Sequence, residues 1–539
     1  MPSPRHPFLA IAPALLLAFV ARAQTPALLT PIANPPASAL AWLAGERTAN
    51  ATIVGSTFVQ VNTAALLALP TLGPAPLGTL TLALGGTQFL LDVDRADWSL
   101  GYRTFRGTAR GEESEVHLSL AADGTTAGLI DVDGGTWLLT AGGAPGVHAL
   151  LQIDTKREPA SNSCGVDHTH LVRGPVTATA GPLASQLTNS DCAQTTLDIA
   201  VFYTPEARLD AGGQSAIETV IVGAVSQANA GHLASGAPIE FRLVHMAETN
   251  YVETGTGADL GAFRDPSDGQ MDEVHQARND YGADLMHLIV SPNSSSFCGI
   301  GYLLGSLSSS FESSAFAVTR RTCISNRTFT HECGHNMGCH HDAANAGAAI
   351  FPYAYGYRTP DNALRTIMAY APGTRINRWS SPNVVFQGYT MGVAGSADNV
   401  QTITDTCLLV SQFRATVAPR WCDLAGGIAG AAGVPTMTGS GTINQLKPLR
   451  LTIEGYAPGS IGILLVGGSA INVPLFGGTL VPSPDILLTL IGSSSSIPFD
   501  CSWLTNLAPG TQAWLQSAFL DPAAVEGLSA SDAVLVTVP

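Results

Sequence analysis

Residues 331–342 read His-Glu-Cys-Gly-His-Asn-Met-Gly-Cys-His-His-Asp, so His331, Glu332, His335, Gly338 and His341 carry the spacing H-E-x-x-H-x-x-G-x-x-H. On a helix, His331 and His335 lie four residues apart on one face, and both imidazoles reach a single metal ion. Glu332 sits one step round, beside them. Gly338 adopts a left-handed backbone without steric cost, which ends the helix, turns the chain and brings His341 back as a third nitrogen ligand. Three histidines leave one tetrahedral position of Zn2+ open to water, the arrangement of a catalytic rather than a structural zinc site. The bland alternative is a surface helix that happens to be rich in histidine, and the number of specified positions weighs against it.

Water at such a zinc ionises with a pKa of ~7, and Glu332 is placed to take its proton and hand it to a departing group. The chemistry is hydrolysis without a covalent intermediate. Behind the ligand face, Phe329, Cys333 and Met337 fall on the opposite side of the helix and should anchor it to a core. Cys333 points away from the metal and Cys339 lies outside the ligand spacing, so core packing or disulfide bonding is expected of both.

Thr366-Ile367-Met368-Ala369-Tyr370 follows the third histidine and is closed by the turn pair Pro372-Gly373. With the long histidine motif, this stretch resembles the metzincin metallopeptidases, in which a methionine turn, here Met368, floors the zinc site. Asp342, directly after the third histidine, resembles the reprolysin or adamalysin branch. The pair Met368 and Tyr370 is also similar to the turn of astacins and serralysins. Three roles stay open for Tyr370: an additional zinc ligand, a hydrogen-bond donor to an oxyanion, or packing. Trp379-Ser380-Ser381-Pro382-Asn383 resembles the segment lining the primed-side specificity pocket of bacterial reprolysin-like enzymes, and a plain turn explains it almost as well. The resemblance, over about residues 195–418, implies a zinc metalloendopeptidase with His331, His335 and His341 as metal ligands and Glu332 as general base. One catalytic Zn2+ is implied, and Ca2+ is compatible with the family but not shown by any residue. Protein or peptide substrates and a monomer are expected.

The elements that must position this site belong to a long, exported-looking chain. At 539 residues it exceeds one ordinary domain. Residues 1–23 carry Arg5, an apolar run over 8–20 and Ala21-Arg22-Ala23, the pattern of a signal peptide cut before Gln24, so the protein is expected to be secreted. No later run reaches membrane-spanning length. A net charge of −16 with only 12% charged residues leaves no basic patch for nucleic acid and little attraction to anionic membranes. Nine cysteines in an exported chain imply disulfides with one thiol left over, and Cys298 with Cys323 is the expected pair.

The expected architecture is multidomain: an α/β (α+β) catalytic domain between an N-terminal all-β propeptide and a C-terminal β-sandwich. Residues 24–194 show short strand-like runs between glycine-rich turns, with linker-like stretches at 160–163 and 174–190. Cys164-Gly165-Val166 is similar to the latency cysteine of metzincin propeptides, whose thiolate fills the open zinc position. A Cys164 to Cys192 disulfide is the competing reading. In residues 195–418, strands at 197–203, 239–244 and 283–290 alternate with helices at 216–233 and 271–281, followed by the site helix near 326–337 and a closing helix at 401–413. Residues 419–539 turn rich in glycine, serine and aliphatic residues and read as strands. A second class of function stays in view: an exported adhesin whose peptidase-like domain is inactive.

Overall fold

The computed structural model describes residues 25–70, 75–157, 165–167, 194–292, 297–493, 496–524 and 526–539. The signal-peptide segment, the two linker stretches, Cys164 and Cys192 lie outside them. Among the described residues no helix is long and apolar enough to cross a membrane.

The middle region is built on a six-stranded sheet in the order Gly165–Asp167, Gly299–Tyr302, Phe316–Arg320, Leu285–Val290, Thr195–Tyr203, Ile239–Glu248. All neighbours run parallel except Gly299–Tyr302 against Phe316–Arg320. Leu285–Val290 is buried at every position, as its unbroken apolar sequence requires of a strand covered on both faces. The helix Gln214–Ser235 covers one side and is tied to the sheet by Asn229, whose amide donates to Phe241 O at 2.8 Å and accepts from Phe241 N at 2.7 Å. The expected strands and helices fall within a few residues of their observed bounds, with the closing helix at Asn399–Val410.

Asp284, just before Leu285–Val290, accepts from Asp198 N at 2.9 Å and from Arg414 N at 3.1 Å. Burial, and then the nearby Asp198 carboxylate, push its carboxyl up to about 8. A carboxyl raised in the folded state keeps a proton that the unfolded chain has lost, so stability falls as pH rises toward 8, by about 1.4 kcal/mol per unit at most. His232 and His287, pushed down to about 3 by burial, oppose that slope only below their ordinary value of 6.5. Between pH 6.5 and 8 the melting temperature should therefore fall in the unmutated chain and hold level in Asp284→Asn. That variant sets an NH2 against one of the two N–H donors and is about 1–3 kcal/mol less stable throughout. A level profile in the unmutated chain would contradict the assignment.

The N-terminal region is a nine-stranded antiparallel sheet running from Leu29–Pro31 through Ile53–Val61 and Val147–Ile153 to Gly78–Leu84. It is not all strand. Ala37–Ala49 is a helix, as its run of alanine and leucine after Pro36 favours. Its buried stripe is Ala39, Leu43 and Glu46. This region packs directly on the middle one: Ser119 donates to Thr219 O at 2.5 Å, Tyr102 to Glu218, and Ala127 joins the central core. Among the described residues, three ion pairs cross the boundary with the acid on the N-terminal side, Glu46–Arg321, Asp131–Arg327 and Glu115–Arg378. Burial pushes the Glu115 carboxyl up, but His117 and Arg378 outweigh it and hold the group well below the usual range.

Beyond Arg420, a sheet whose core order is Arg420–Asp423, Val534–Thr537, Gln512–Leu520, Ile461–Gly467, Ile486–Ile491 shares one core with a three-stranded sheet, Thr436–Ser440, Arg450–Glu454, Ser496–Asp500. Leu451 and Ile453 meet Leu464, Leu515 and Val536 there.

Candidate active site

The site helix is Thr328–Asn336, shorter at its start than its sequence suggests because Arg327 takes a left-handed φ of 62° and breaks it from the preceding 3-10 turn. Every residue of it is buried. Phe329, Cys333 and Met337 enter the central core, as their positions opposite the histidines predict. Asn336 fastens the far end by donating to Tyr302 O at 2.8 Å and Phe316 O at 3.2 Å. Gly338 has φ +89°, and a side chain there would meet Ile350 at 3.0 Å, so glycine is needed both for the turn and for space.

The chain then brings His341 back to the helix. One ring nitrogen from each of His331, His335 and His341 lies within 4.8 Å of the others, and all three side chains are buried. His331 Nδ1 donates to Ile367 O at 2.9 Å and His335 Nδ1 to Cys339 O at 2.8 Å. A carbonyl only accepts, so both rings carry their proton on Nδ1 and present Nε2 as a lone pair. His335 Nε2 lies 3.1 Å from His341 Nε2, while His331 Nε2 is buried with no hydrogen-bond partner among the described residues. Ring nitrogens converging on one buried point suit a cation, and tetrahedral coordination at about 2.0–2.1 Å spaces such nitrogens by about 3.3 Å. Burial first, and then neighbouring His335 for His331 and His331 for His341, hold these imidazoles well below the ordinary range and so neutral. The residues fit a zinc ion.

Glu332 is fully buried beside the strand Gly299–Tyr302. That strand makes room for it by lacking side chains. A Cβ at Gly299 would sit 2.5 Å from Glu332 Oε1, and one at Gly301 would sit 3.4 Å from Oε2. Sequence reasoning missed these two glycines, although Gly-x-Gly between a cysteine and a tyrosine was there to be read. The disulfide Cys298–Cys323, the expected pair, pins the strand's start to the turn before the site helix. Cys333 and Cys339 are free and buried in the core, which settles the choice left open for them; Cys422 is disulfide-bonded.

Met368 lies beneath the helix: a Cβ on Gly334 would meet its Sδ at 2.7 Å and the Trp379 ring at 3.0 Å. The Met368 turn also supplies Ile367 O to His331. Asp342 locks the third ligand's strand to that turn, accepting from Tyr370 N at 3.0 Å while pairing with Arg358 at 2.9 Å. Its sequence position suggested only a branch of the family. The Tyr370 ring packs 4.1 Å from that of His341. Trp379 is wholly buried and stacks on His232 at 5.9 Å, so it supports the helix from below, and Val385–Phe386 follows as a short strand.

Mixed sheet, buried histidine triad, glycine exit and methionine floor together define a metallopeptidase domain. The model of Metallo-peptidase family M12, reprolysin-like, matches residues 193–380. A peptidyl-Asp metalloendopeptidase of Stenotrophomonas maltophilia (strain R551-3) is 31% identical over 323 residues, 58% of this chain and 74% of that protein. A peptidyl-Asp metalloendopeptidase of Xanthomonas campestris pv. campestris is 34% identical over 277 residues, 50% of this chain and 63% of that one. The chain belongs to the reprolysin-like metallopeptidases of family M12. Over the Xanthomonas protein the match spans less than two thirds of its length. Among solved structures, metalloproteinase-II from Bacteroides fragilis aligns with 52% of this chain and 85% of that one at 12% identity and a TM-score of 0.33, too slight a likeness to carry an argument.

Proposed function

We propose that the chain is a secreted zinc metalloendopeptidase that hydrolyses peptide bonds in proteins, with His331, His335 and His341 holding one zinc ion and Glu332 acting as base. The convergence of three buried imidazoles on one point, two of them oriented by carbonyls, is the observation that carries this reading. Zinc held there supplies Lewis acidity to a water and to the scissile carbonyl. Glu332 takes the proton of the attacking water and returns it to the departing amine. Ile367 O and Cys339 O keep two of the three imidazoles in the metal-binding tautomer. The names of the relatives favour cleavage beside aspartate.

Residues 24–194 act as a propeptide in this reading, ahead of a catalytic domain at 195–418 and a C-terminal domain at 419–539. Gly165–Asp167 pairs in parallel with Gly299–Tyr302, the strand that borders Glu332 and that becomes the sheet edge once Gly165–Asp167 leaves, which is where an extended substrate would add. The N-terminal region therefore has to leave before substrate enters. Casein digestion by the processed protein should stop with a zinc chelator and return when zinc is restored. Digestion indifferent to chelator, or none with zinc present, would overturn the proposal.

A further inference from the structure

The outer face of the C-terminal sheet is apolar where it meets water. On the strands Ile461–Gly467 and Ile486–Ile491, the outward Ile461, Ile463, Leu487 and Ile491 alternate with Leu464, Leu488 and Leu490, which face the core, and Ile461 is the register partner of Ile491. Leu520, one position past Phe519, the partner of Gly462, falls on the same outer face. These five side chains are 39–67% exposed. Leu465 and Gln516, register partners further along that face, are buried, because a hairpin of Ala470–Leu475 with Gly478–Pro482 lies there. Gln516 holds the hairpin, donating to Thr479 O at 2.9 Å and accepting from Val481 N at 3.1 Å. The hairpin's outer strand Ala470–Leu475 is exposed at every position. Its Ile471, Val473 and Leu475, with Phe476 at the tip, are 41–52% exposed.

The open floor of the sheet and the hairpin arm beside it leave roughly 900 Å² of apolar side chain in water, above what one patch of a monomer ordinarily exposes and close to the ~800 Å² that each partner gives to a stable interface. Charge decides what can cover it. Residues 455–499 contain one charged side chain, Asp485, which accepts from Gly468 N and Ser483 Oγ, both at 2.8 Å. Past Leu520, the turn carries Asp521, buried and accepting from Ala431 N at 2.7 Å, and Glu526. No lysine or arginine follows Arg450. An anionic lipid surface or an acidic partner therefore finds no cation here, and a basic partner finds few free acids. Two copies of a chain with net charge −16 repel one another over most of their surface, and on this patch they meet almost without charge. Floor and arm also complement each other, so a two-fold axis satisfies both copies with one surface.

We propose that the chain forms a two-fold dimer through its C-terminal domain, the hairpin arm of each copy lying across the open outer face of the other's sheet. The expected monomer would hold these side chains in water, whereas the dimer removes them from it. Alternation in the sequence marks the strands but not which of their faces stays uncovered. The dimer is independent of the peptidase chemistry and stands or falls apart from it.

The test is sedimentation equilibrium of the full chain in a Glu332→Gln background, which keeps it from digesting itself. The chain should dimerise with a dissociation constant below about 10 µM, as an interface of this size allows. Ile461→Glu on the floor and Phe476→Lys on the arm each alter a side chain that is more than half exposed, so the fold is kept. Each should raise the dissociation constant at least about 100-fold, because it buries a charge without a partner. Mixing the two variants should restore a dimer, since one arm-on-floor contact is then intact and the other brings opposite charges together. A chain that stays monomeric at about 100 µM, or a dimer that either variant leaves unchanged, would overturn the proposal, as would a mixture that fails to pair. Flotation with phosphatidylcholine vesicles tests the other occupant. The chain should stay off the vesicles, and co-flotation abolished by Ile461→Glu would overturn the dimer in favour of a lipid surface.

Discussion

Glu332→Gln is expected to lower casein hydrolysis by the processed protein about 10³-fold, within the 10²–10⁴-fold range of a positioned acid-base group, while zinc content stays at one per chain. The carboxylate is fully buried between the site helix and a strand whose Gly299 and Gly301 leave space for it. Glutamine has the same shape, so the substitution opens no cavity and changes only the capacity to take a proton. The folded state should be unaffected, which a superimposable circular dichroism spectrum and melting curve would confirm. Turnover within about threefold of the unmutated enzyme would remove Glu332 from the chemistry, because so small a loss is under 1 kcal/mol of barrier.

His335→Ala acts on a different quantity. Metal that binds only the folded state stabilises it by about 4 kcal/mol when zinc is present at 1,000 times its dissociation constant. For a domain of this size that corresponds to a melting shift of about 10 °C. Removing His335 takes away one of the three converging nitrogens and also leaves a void under the Cys339 carbonyl. Comparing each protein with and without chelator cancels the void: the unmutated chain should lose about 10 °C on chelation, and His335→Ala less than about 2 °C. Equal chelator shifts in both would place the metal elsewhere.

The site was largely legible because it is local. Spacing over 331–341 fixes the relation of two ligands on one helical face, a glycine marks the reversal, and Met368 follows at short range. The supports were harder to see because they are long-range. Gly299 and Gly301 matter only once the sheet order sets their strand beside Glu332. Asp342 gains its role from Tyr370 N and Arg358, contacts that no periodicity reports. Arg375 reads as an ordinary surface cation until the fold buries it against Arg365. In the flanking regions alternation exposed the strands, but the helix Ala37–Ala49 went unread because glycine-rich turns dominated the surrounding sequence. Its hidden Glu46 stripe is set by a partner, Arg321, that lies 275 residues away.

X-ray absorption at the zinc edge of the processed protein tests the central claim most directly. The account predicts one zinc per chain bound through three imidazole nitrogens at about 2.0–2.1 Å. Zinc held through fewer than three imidazoles, or a folded protein that takes up no zinc, would contradict it.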